Sequence, residues 1–180
     1  MDTNSPEYIF GKKFEARLVN QFNRENIDFQ DVSDVEEYRK IDVDFIVSGK
    51  NGEKMLVEAK TTLFDQPQNR NISLGTSAAG RSGWFWRTKC DVLVFGIKQR
   101  SRIYIFNFKK FKDVVIKAFK AKDMEFFYKF EKEYVLINPY DVKIDGIPGI
   151  ENTDFCVSIP WEIPEGVSLY DLIVQMYENK

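Results

Sequence analysis

The chain has 180 residues, of which 43% are hydrophobic and 30% are charged, so we expect one globular domain with a substantial core. It contains no histidine and only two cysteines, Cys90 and Cys156. The absence of histidine excludes Ser-His and Cys-His hydrolases and, with so few cysteines, most zinc sites. Chemistry in this chain would therefore use carboxylates, lysine, tyrosine, or a metal ion held by oxygen ligands.

The charge of the chain is unevenly distributed, although its net value is only −2. Between Arg81 and Lys122 there are twelve basic residues and two acidic ones. This asymmetry predicts a surface that binds phosphate groups. No apolar run approaches the roughly 20 residues that a membrane helix needs. With a polar N-terminus and unpatterned cysteines, this predicts a cytoplasmic protein without a membrane partner.

The first predicted element is a helix. Ser5 is followed by Pro6, which is typical of a helix cap and first turn, and apolar residues recur at helical spacing to about Asn26. Residues 27–32 alternate between apolar and polar side chains and predict a strand. A charged connection over 33–40 follows.

Two further alternating segments, residues 39–47 and 55–60, predict a pair of strands joined by a hairpin. Between them, residues 48–54 contain an Asn-Gly pair, which is typical of a tight hairpin loop. We therefore expect the two strands to be antiparallel neighbours.

The register of this hairpin decides which side chains meet. A two-residue Asn-Gly turn would place the acidic side chains on opposite faces. A three-residue loop with Gly52 in a left-handed conformation pairs Asp44 with Glu58 and Asp42 with Lys60. We favour the three-residue loop because it gathers these four charged groups on one face and the apolar groups on the other.

Such a face has a specific chemical use. Two carboxylates directly opposite each other on neighbouring strands repel, and a divalent cation between them removes the repulsion. Hard oxygen ligands suit Mg²⁺ or Mn²⁺. The ammonium group of Lys60 beside the ion would orient a water molecule or help to deprotonate it. These are the parts required for metal-assisted hydrolysis of a phosphodiester.

Asp44 followed by Glu58-Ala59-Lys60 resembles the motif of the PD-(D/E)XK nuclease superfamily, which includes restriction endonucleases, Holliday-junction resolvases and phage recombination nucleases. The resemblance covers roughly Glu7 to Asn107. It implies that Asp44, Glu58 and the carbonyl of Ala59 are metal ligands and that Lys60 is catalytic.

Members of that superfamily often carry a helix before the hairpin, with a glutamate that serves the metal, and Glu15 matches that residue. The alternative for Glu15 is an ordinary solvated helix acid. The chain departs from the motif at Val43, where a proline often precedes the acid. Asp42 remains an alternative to Asp44 as the main ligand, or a ligand of a second ion.

Basic side chains around this motif are predicted to contact nucleic acid. Arg81 lies between two glycines in an irregular segment over 61–82 that follows Lys60 and could cover the substrate. The aromatic run Trp84-Phe85-Trp86 is either a core anchor of a short helix or a platform for unpaired bases. The residues predicted to bind nucleic acid are Arg39, Lys40, Arg81, Arg87 and Lys89.

The rest of the chain predicts further α/β elements. Residues 91–97 are continuously apolar and predict a buried central strand, and 102–107 predict a strand that pairs back onto it. Residues 108–122 predict a basic amphipathic helix. Residues 155–159 predict an edge strand ending at Pro160, and a last helix is predicted from Ser168 to about Tyr177.

We therefore expect an α/β protein with a restriction-endonuclease-like core, in which helices flank a mixed central sheet. Residues 1–122 would form this core, and residues 123–180 a C-terminal α+β extension packed on it within a single domain. The expected function is a DNA endonuclease dependent on Mg²⁺ or Mn²⁺, of a size compatible with a homodimer. The alternatives are a catalytically inactive nucleic-acid-binding or assembly module on the same fold, and an interaction protein with a surface ladder of salt bridges.

Overall fold

The computed structural model describes residues 4–62, 72–75, 77–78, 81–121, 129–130, 134–137, 143–144, 147–148 and 153–179. The helices are α1 (Pro6–Arg24), α2 (Glu36–Arg39), α3 (Trp84–Arg87), α4 (Phe108–Ala121) and α5 (Leu169–Glu178). The strands are β1 (Phe29–Asp31), β2 (Phe45–Ser48), β3 (Lys54–Thr62), β4 (Ile72–Gly75), β5 (Ser77–Ala78), β6 (Arg81–Ser82), β7 (Val92–Ile97), β8 (Arg102–Asn107), β9 (Lys129–Phe130), β10 (Tyr134–Ile137), β11 (Lys143–Ile144), β12 (Ile147–Pro148) and β13 (Cys156–Pro160).

The centre of the fold is a six-stranded mixed sheet in the order β1-β2-β3-β7-β8-β13. Strands β1, β2 and β3 form an antiparallel meander, β3 and β7 are parallel, and β7, β8 and β13 are again antiparallel. Three smaller sheets are β4-β10-β9, β11-β12 and β5-β6. The predicted α/β class is confirmed, together with the meander, the crossover and the returning strand pair.

Each face of the central sheet carries its own hydrophobic core. On one face, α1 and α5 bury apolar side chains such as Leu18 and Ile173 against Phe45 and Val57. On the other face, α3 and α4 contribute side chains such as Phe85 and Phe111. Helices α1 and α4 each bury one apolar stripe, as the sequence periodicity predicted. In the part of the chain that the structure describes, no helix is both long and apolar enough to cross a bilayer.

The hairpin between β2 and β3 has the predicted three-residue loop. The register pairs Phe45 with Val57, and Gly49 N–H donates to the carbonyl of Glu53 at 2.7 Å. Gly52 has φ = 81°, a left-handed conformation that glycine adopts without steric cost. Continuing the same register by one residue sets Asp44 opposite Glu58.

The predicted strand over residues 39–47 is wrong in its first half. Arg39 ends helix α2, Asp42 lies in a turn with φ = 46°, and β2 begins only at Phe45. Aspartate tolerates this left-handed conformation. Tertiary hydrogen bonds hold the turn, from Lys89 N–H to the carbonyl of Ile41 and from Thr88 Oγ1 to the carbonyl of Asp42. These long-range contacts override the alternating pattern, so Asp42 does not pair with Lys60.

The C-terminal part of the chain belongs to the main sheet. Strand β13 pairs with β8 from Cys156 opposite Phe106 to Pro160 opposite Arg102, which confirms the predicted edge strand. Within residues 153–179, β13 extends the central sheet and α5 covers one face of it. Residue 122, the last of the helix predicted over 108–122, lies outside the described residues.

Helix α5 is fixed at its start by two side chains. Ser168 Oγ accepts a hydrogen bond from Asp171 N–H at 3.0 Å, which is a helix cap. The carboxylate of Glu25, just after α1, accepts from Leu169 N–H at 2.9 Å and from Tyr170 N–H at 3.1 Å. Burial alone would raise the pKa of Glu25, but these hydrogen bonds outweigh it and lower the pKa. The two helices of this layer are thereby joined.

Asn107 links two helices at the end of β8. Its Oδ1 accepts from Lys110 N–H at 3.0 Å, and its Nδ2 donates to the carbonyls of Met176 at 2.8 Å and Asn179 at 3.0 Å. It therefore caps the start of α4 and the end of α5 from a buried position.

We expect Asn107→Ala to lower the free energy of unfolding by about 2–3 kcal/mol, because a helix cap and two buried carbonyl partners are lost together. Urea denaturation followed by circular dichroism measures this. Asn20→Ala, on the exposed side of α1, is the matched control. Equal stability losses in the two variants would contradict the linking role of Asn107.

Candidate functional site

Asp44 directly precedes β2 and is held there by hydrogen bonds to β3. Its N–H donates to the carbonyl of Val57 at 3.0 Å, and its Oδ2 accepts from Ala59 N–H at 2.9 Å. Main-chain and side-chain contacts thus fix Asp44 to the middle of β3. One carboxylate oxygen is bound to the backbone, and no hydrogen bond to the other is seen among the described residues.

Glu58 is the most unusual side chain in the described part of the chain. It is 0% exposed in the middle of β3, whereas buried carboxylates are rare unless they are well paired. Its Oε1 forms an ion pair with Lys60 Nζ, yet neither carboxylate oxygen accepts a well-formed hydrogen bond from the described residues. Burial raises the pKa of Glu58 well above its usual range, and the nearby charge of Asp44 adds to the increase while Lys60 opposes it.

Lys60 lies two residues further along β3 and shares a face with Glu58. Its side chain is 29% exposed as a whole, whereas that of its partner Glu58 is buried. Burial by itself would lower the pKa of Lys60, but the charges of Glu58 and Asp44 outweigh it and raise the pKa. Lys60 Nζ also lies 5.9 Å from the centre of the Trp84 ring. Lys60 is therefore a charged group at the mouth of a buried acidic site.

Glu15 approaches the same site from α1. Its carboxylate is paired with Lys12 Nζ at 2.7 Å, and Lys12 also donates to Ser33 Oγ at 3.3 Å. Burial raises the pKa of Glu15, with a further contribution from Asp44, while Lys12 and Lys60 lower it. Glu15 is thus close enough to Asp44 and Lys60 to feel their charges, and it makes its direct contact with Lys12.

Asp42 has a different partner from the one that the sequence predicted. Arg87 donates two hydrogen bonds to this carboxylate, from Nε to Oδ2 at 2.8 Å and from Nη2 to Oδ1 at 2.9 Å. The two residues therefore form a bidentate ion pair. Arg87 is 45 residues away along the chain, and no local pattern indicated the pair. The structure therefore brings together Asp44, Glu58 and Lys60, with Glu15 nearby, and ties Asp42 to α3.

The other predicted nucleic-acid contacts are spread around this site. Arg39 and Lys40 are exposed at the end of α2, and Lys40 pairs with Glu36 at 2.8 Å. Lys89 is exposed just after α3. The backbone of Arg81 pairs with Ala78 in the β5–β6 hairpin. Most of the loop predicted to cover the substrate, including residues 63–71, lies outside the described residues.

The donor set of the site fits a hard divalent cation. Asp44 and Glu58 offer carboxylate oxygens, and the buried carboxylate of Glu58 has only Lys60 as a partner among the described residues. Among the described residues, no group of three acidic, cysteine or histidine side chains forms a complete metal cage. Mg²⁺ commonly uses one or two carboxylates and completes its coordination with water and phosphate oxygens. A pair of acids is therefore a sufficient protein contribution.

Comparison of the chain with family models, with curated proteins and with solved structures found no match. The class of protein therefore has to be argued from the fold and from the side chains of the site. The fold is an α/β layer structure with a mixed sheet, and the site is a carboxylate pair with an adjacent lysine on the middle strands.

Proposed function

We propose that this chain is a DNA endonuclease of the PD-(D/E)XK type, dependent on Mg²⁺ or Mn²⁺, on a restriction-endonuclease-like core. The observation that supports this most strongly is the fully buried carboxylate of Glu58, which has only Lys60 as a partner among the described residues and lies opposite Asp44 in the hairpin register. Removing a carboxylate from water costs several kcal/mol unless its charge is compensated. A bound cation would supply the compensation that Lys60 alone provides only in part.

Each residue of the site then has a defined role. Asp44 and Glu58 would hold the ion, with the carbonyl of Ala59 as a further ligand and Glu15 as the acid nearest to a second position. When bound, the ion lowers the pKa of a coordinated water and offsets negative charge on the phosphate. Lys60 keeps its proton, since its pKa is raised, and its ammonium orients the attacking water and faces the phosphate. Arg87, Lys89 and the α2 pair Arg39 and Lys40 would contact the DNA backbone.

The test is a panel of supercoiled, linear, single-stranded and four-way-junction DNA, each incubated with Mg²⁺, Mn²⁺ or EDTA. We expect cleavage of at least one substrate with either ion and none with EDTA. Asp44→Asn should abolish the cleavage, and Asp113→Asn, at an exposed position of α4, should not. Salt-sensitive DNA binding without cleavage would instead favour the inactive binding module.

Metal affinity should depend on pH through Glu58. Because burial raises the pKa of this carboxyl, below that pKa it carries a proton that a metal ion must displace. We expect the apparent affinity for Mn²⁺ to rise by about tenfold per pH unit up to the raised pKa and then to level off. Calorimetry in buffers of different ionisation enthalpy counts the released protons. Metal binding by the wild type that releases no proton at the pH values where the affinity is still rising would contradict this assignment.

A further inference from the structure

Trp86 presents a large aromatic surface beside the candidate site. Among the described residues, the exposed large hydrophobic side chains are Ile9, Val35 and Trp86, and Trp86 is the aromatic one, 40% exposed. It belongs to the single turn of α3. In that same turn, Trp84 lies against Lys60 and Arg87 binds Asp42. Its backbone is therefore within one helical turn of two residues that contact groups of the site.

Contacts with α4 and with Phe85 hold the Trp86 ring in position. Lys112 Nζ of α4 donates to the carbonyl of Trp86 at 3.2 Å. The Trp86 ring packs against Phe85 with centroids 4.9 Å apart and against Phe119 of α4 at 6.3 Å. Lys112 and Phe119 are seven residues apart, which places them on one face of α4. Trp86 is thus a rigid, half-exposed plane and not a freely rotating surface side chain.

The surroundings of the ring are basic. Arg87 and Lys89 follow it in the chain, and Lys109 and Lys120 are exposed on α4 near the two residues that hold it. Of the acidic side chains described in this region, Asp91 is tied to the backbone of Leu56 at 2.9 Å, Asp42 is paired with Arg87, and Asp113 is exposed on α4. A flat aromatic surface flanked by cations complements a nucleotide, because a base can stack on the ring while its phosphates contact the lysines.

We propose that Trp86 is a stacking platform for an unpaired base, so that the chain selects DNA with a single-stranded or distorted segment next to the bond that is cut. This inference deepens the proposed nuclease function and rests on its assignment to DNA. In a regular duplex both faces of each base are already stacked, so an intact duplex offers nothing for the ring to bind. The platform would therefore discriminate by strand pairing and not by sequence.

The test uses binding alone, so that it is independent of cleavage. The DNA is a hairpin with an unpaired 2-aminopurine and a matched fully paired hairpin, both titrated in EDTA. For the wild-type chain we expect quenching of the unpaired 2-aminopurine and tighter binding of that hairpin. Trp86→Ala should weaken its binding by about tenfold, as expected for one lost base–aromatic stack, and change binding of the paired hairpin by less than about twofold. Trp86→Phe should restore most of the affinity.

Ile9→Ala is the matched control, since Ile9 is a similarly exposed apolar side chain on α1. Equal affinity of Trp86→Ala and wild type for the unpaired hairpin would overturn the proposal, as would an equal loss for both hairpins or no DNA binding by the wild type. Stacking without cleavage in Mg²⁺ would reject the nuclease assignment and leave the platform in place. If Trp86→Ala fails to fold, quenching of the unpaired 2-aminopurine is compared between wild type and Trp86→Phe. Weaker quenching by Trp86→Phe than by wild type would support the platform, and equal quenching or no quenching by either protein would overturn the proposal.

Discussion

Lys60→Ala is expected to reduce Mg²⁺-dependent cleavage by about 10²–10⁴-fold, the range usual for a group that positions or transfers a proton. The ammonium of Lys60 is the cation paired with Glu58, so its loss leaves the water and the phosphate of the proposed reaction without their protein partner. DNA affinity should change little, since one lysine contributes only a small part of a basic surface, whereas stability should fall because the buried carboxylate of Glu58 loses its ion-pair partner. Single-turnover kinetics with saturating enzyme measure the effect on the chemical step.

The matched control for Lys60→Ala is Lys54→Ala. Lys54 begins the same strand and is exposed, so the two substitutions remove the same side chain from one element. We expect Lys54→Ala to cleave at the unmodified rate. Cleavage by Lys60→Ala at that same rate would reject its catalytic assignment.

Glu58→Gln is expected to abolish cleavage, with a loss of about three orders of magnitude, because a bound ion contributes several kcal/mol to the stabilisation of the transition state. The substitution keeps the shape of the side chain and removes the charge that would hold the ion. Mn²⁺ should raise the melting temperature of the unmodified chain, as any ligand specific for the native state does, and should not raise that of Glu58→Gln. Differential scanning fluorimetry with and without Mn²⁺ measures this.

The same variant should also change how stability depends on pH in the absence of metal. Since the pKa of Glu58 is raised in the folded state, its stabilising contribution is present below the unfolded value of about 4.5 and is lost as the pH rises through the folded pKa. The melting temperature of the unmodified chain should therefore fall relative to that of Glu58→Gln over this interval. Glu37→Gln, at an exposed position of α2, is the control. The difference in melting temperature between this variant and the unmodified chain should stay near zero over the same interval. A constant difference between wild type and Glu58→Gln at all pH values would show that the buried carboxyl does not titrate in this way.

The sequence by itself determined the elements whose evidence is local. Ser5 and Pro6 mark the start of α1, and the alternation around Val57 marks β3, because caps and side-chain periodicity depend only on neighbouring residues. The hairpin register was also predictable, since only the three-residue loop placed Asp44 opposite Glu58 while keeping the apolar side chains in the core.

Only the tertiary structure decided where the remaining groups lie. Asp42 was predicted to share the face of Lys60, but Arg87, distant in sequence, binds it and holds its turn in a left-handed conformation. Strand β13 likewise joins the central sheet through pairing with β8, which no local pattern specifies. Glu58 also lies opposite Leu93 of the parallel strand β7, which follows it by 35 residues. Contacts between distant residues are absent from any short window of sequence, so the environment that gives Glu58 its raised pKa exists only in the folded chain.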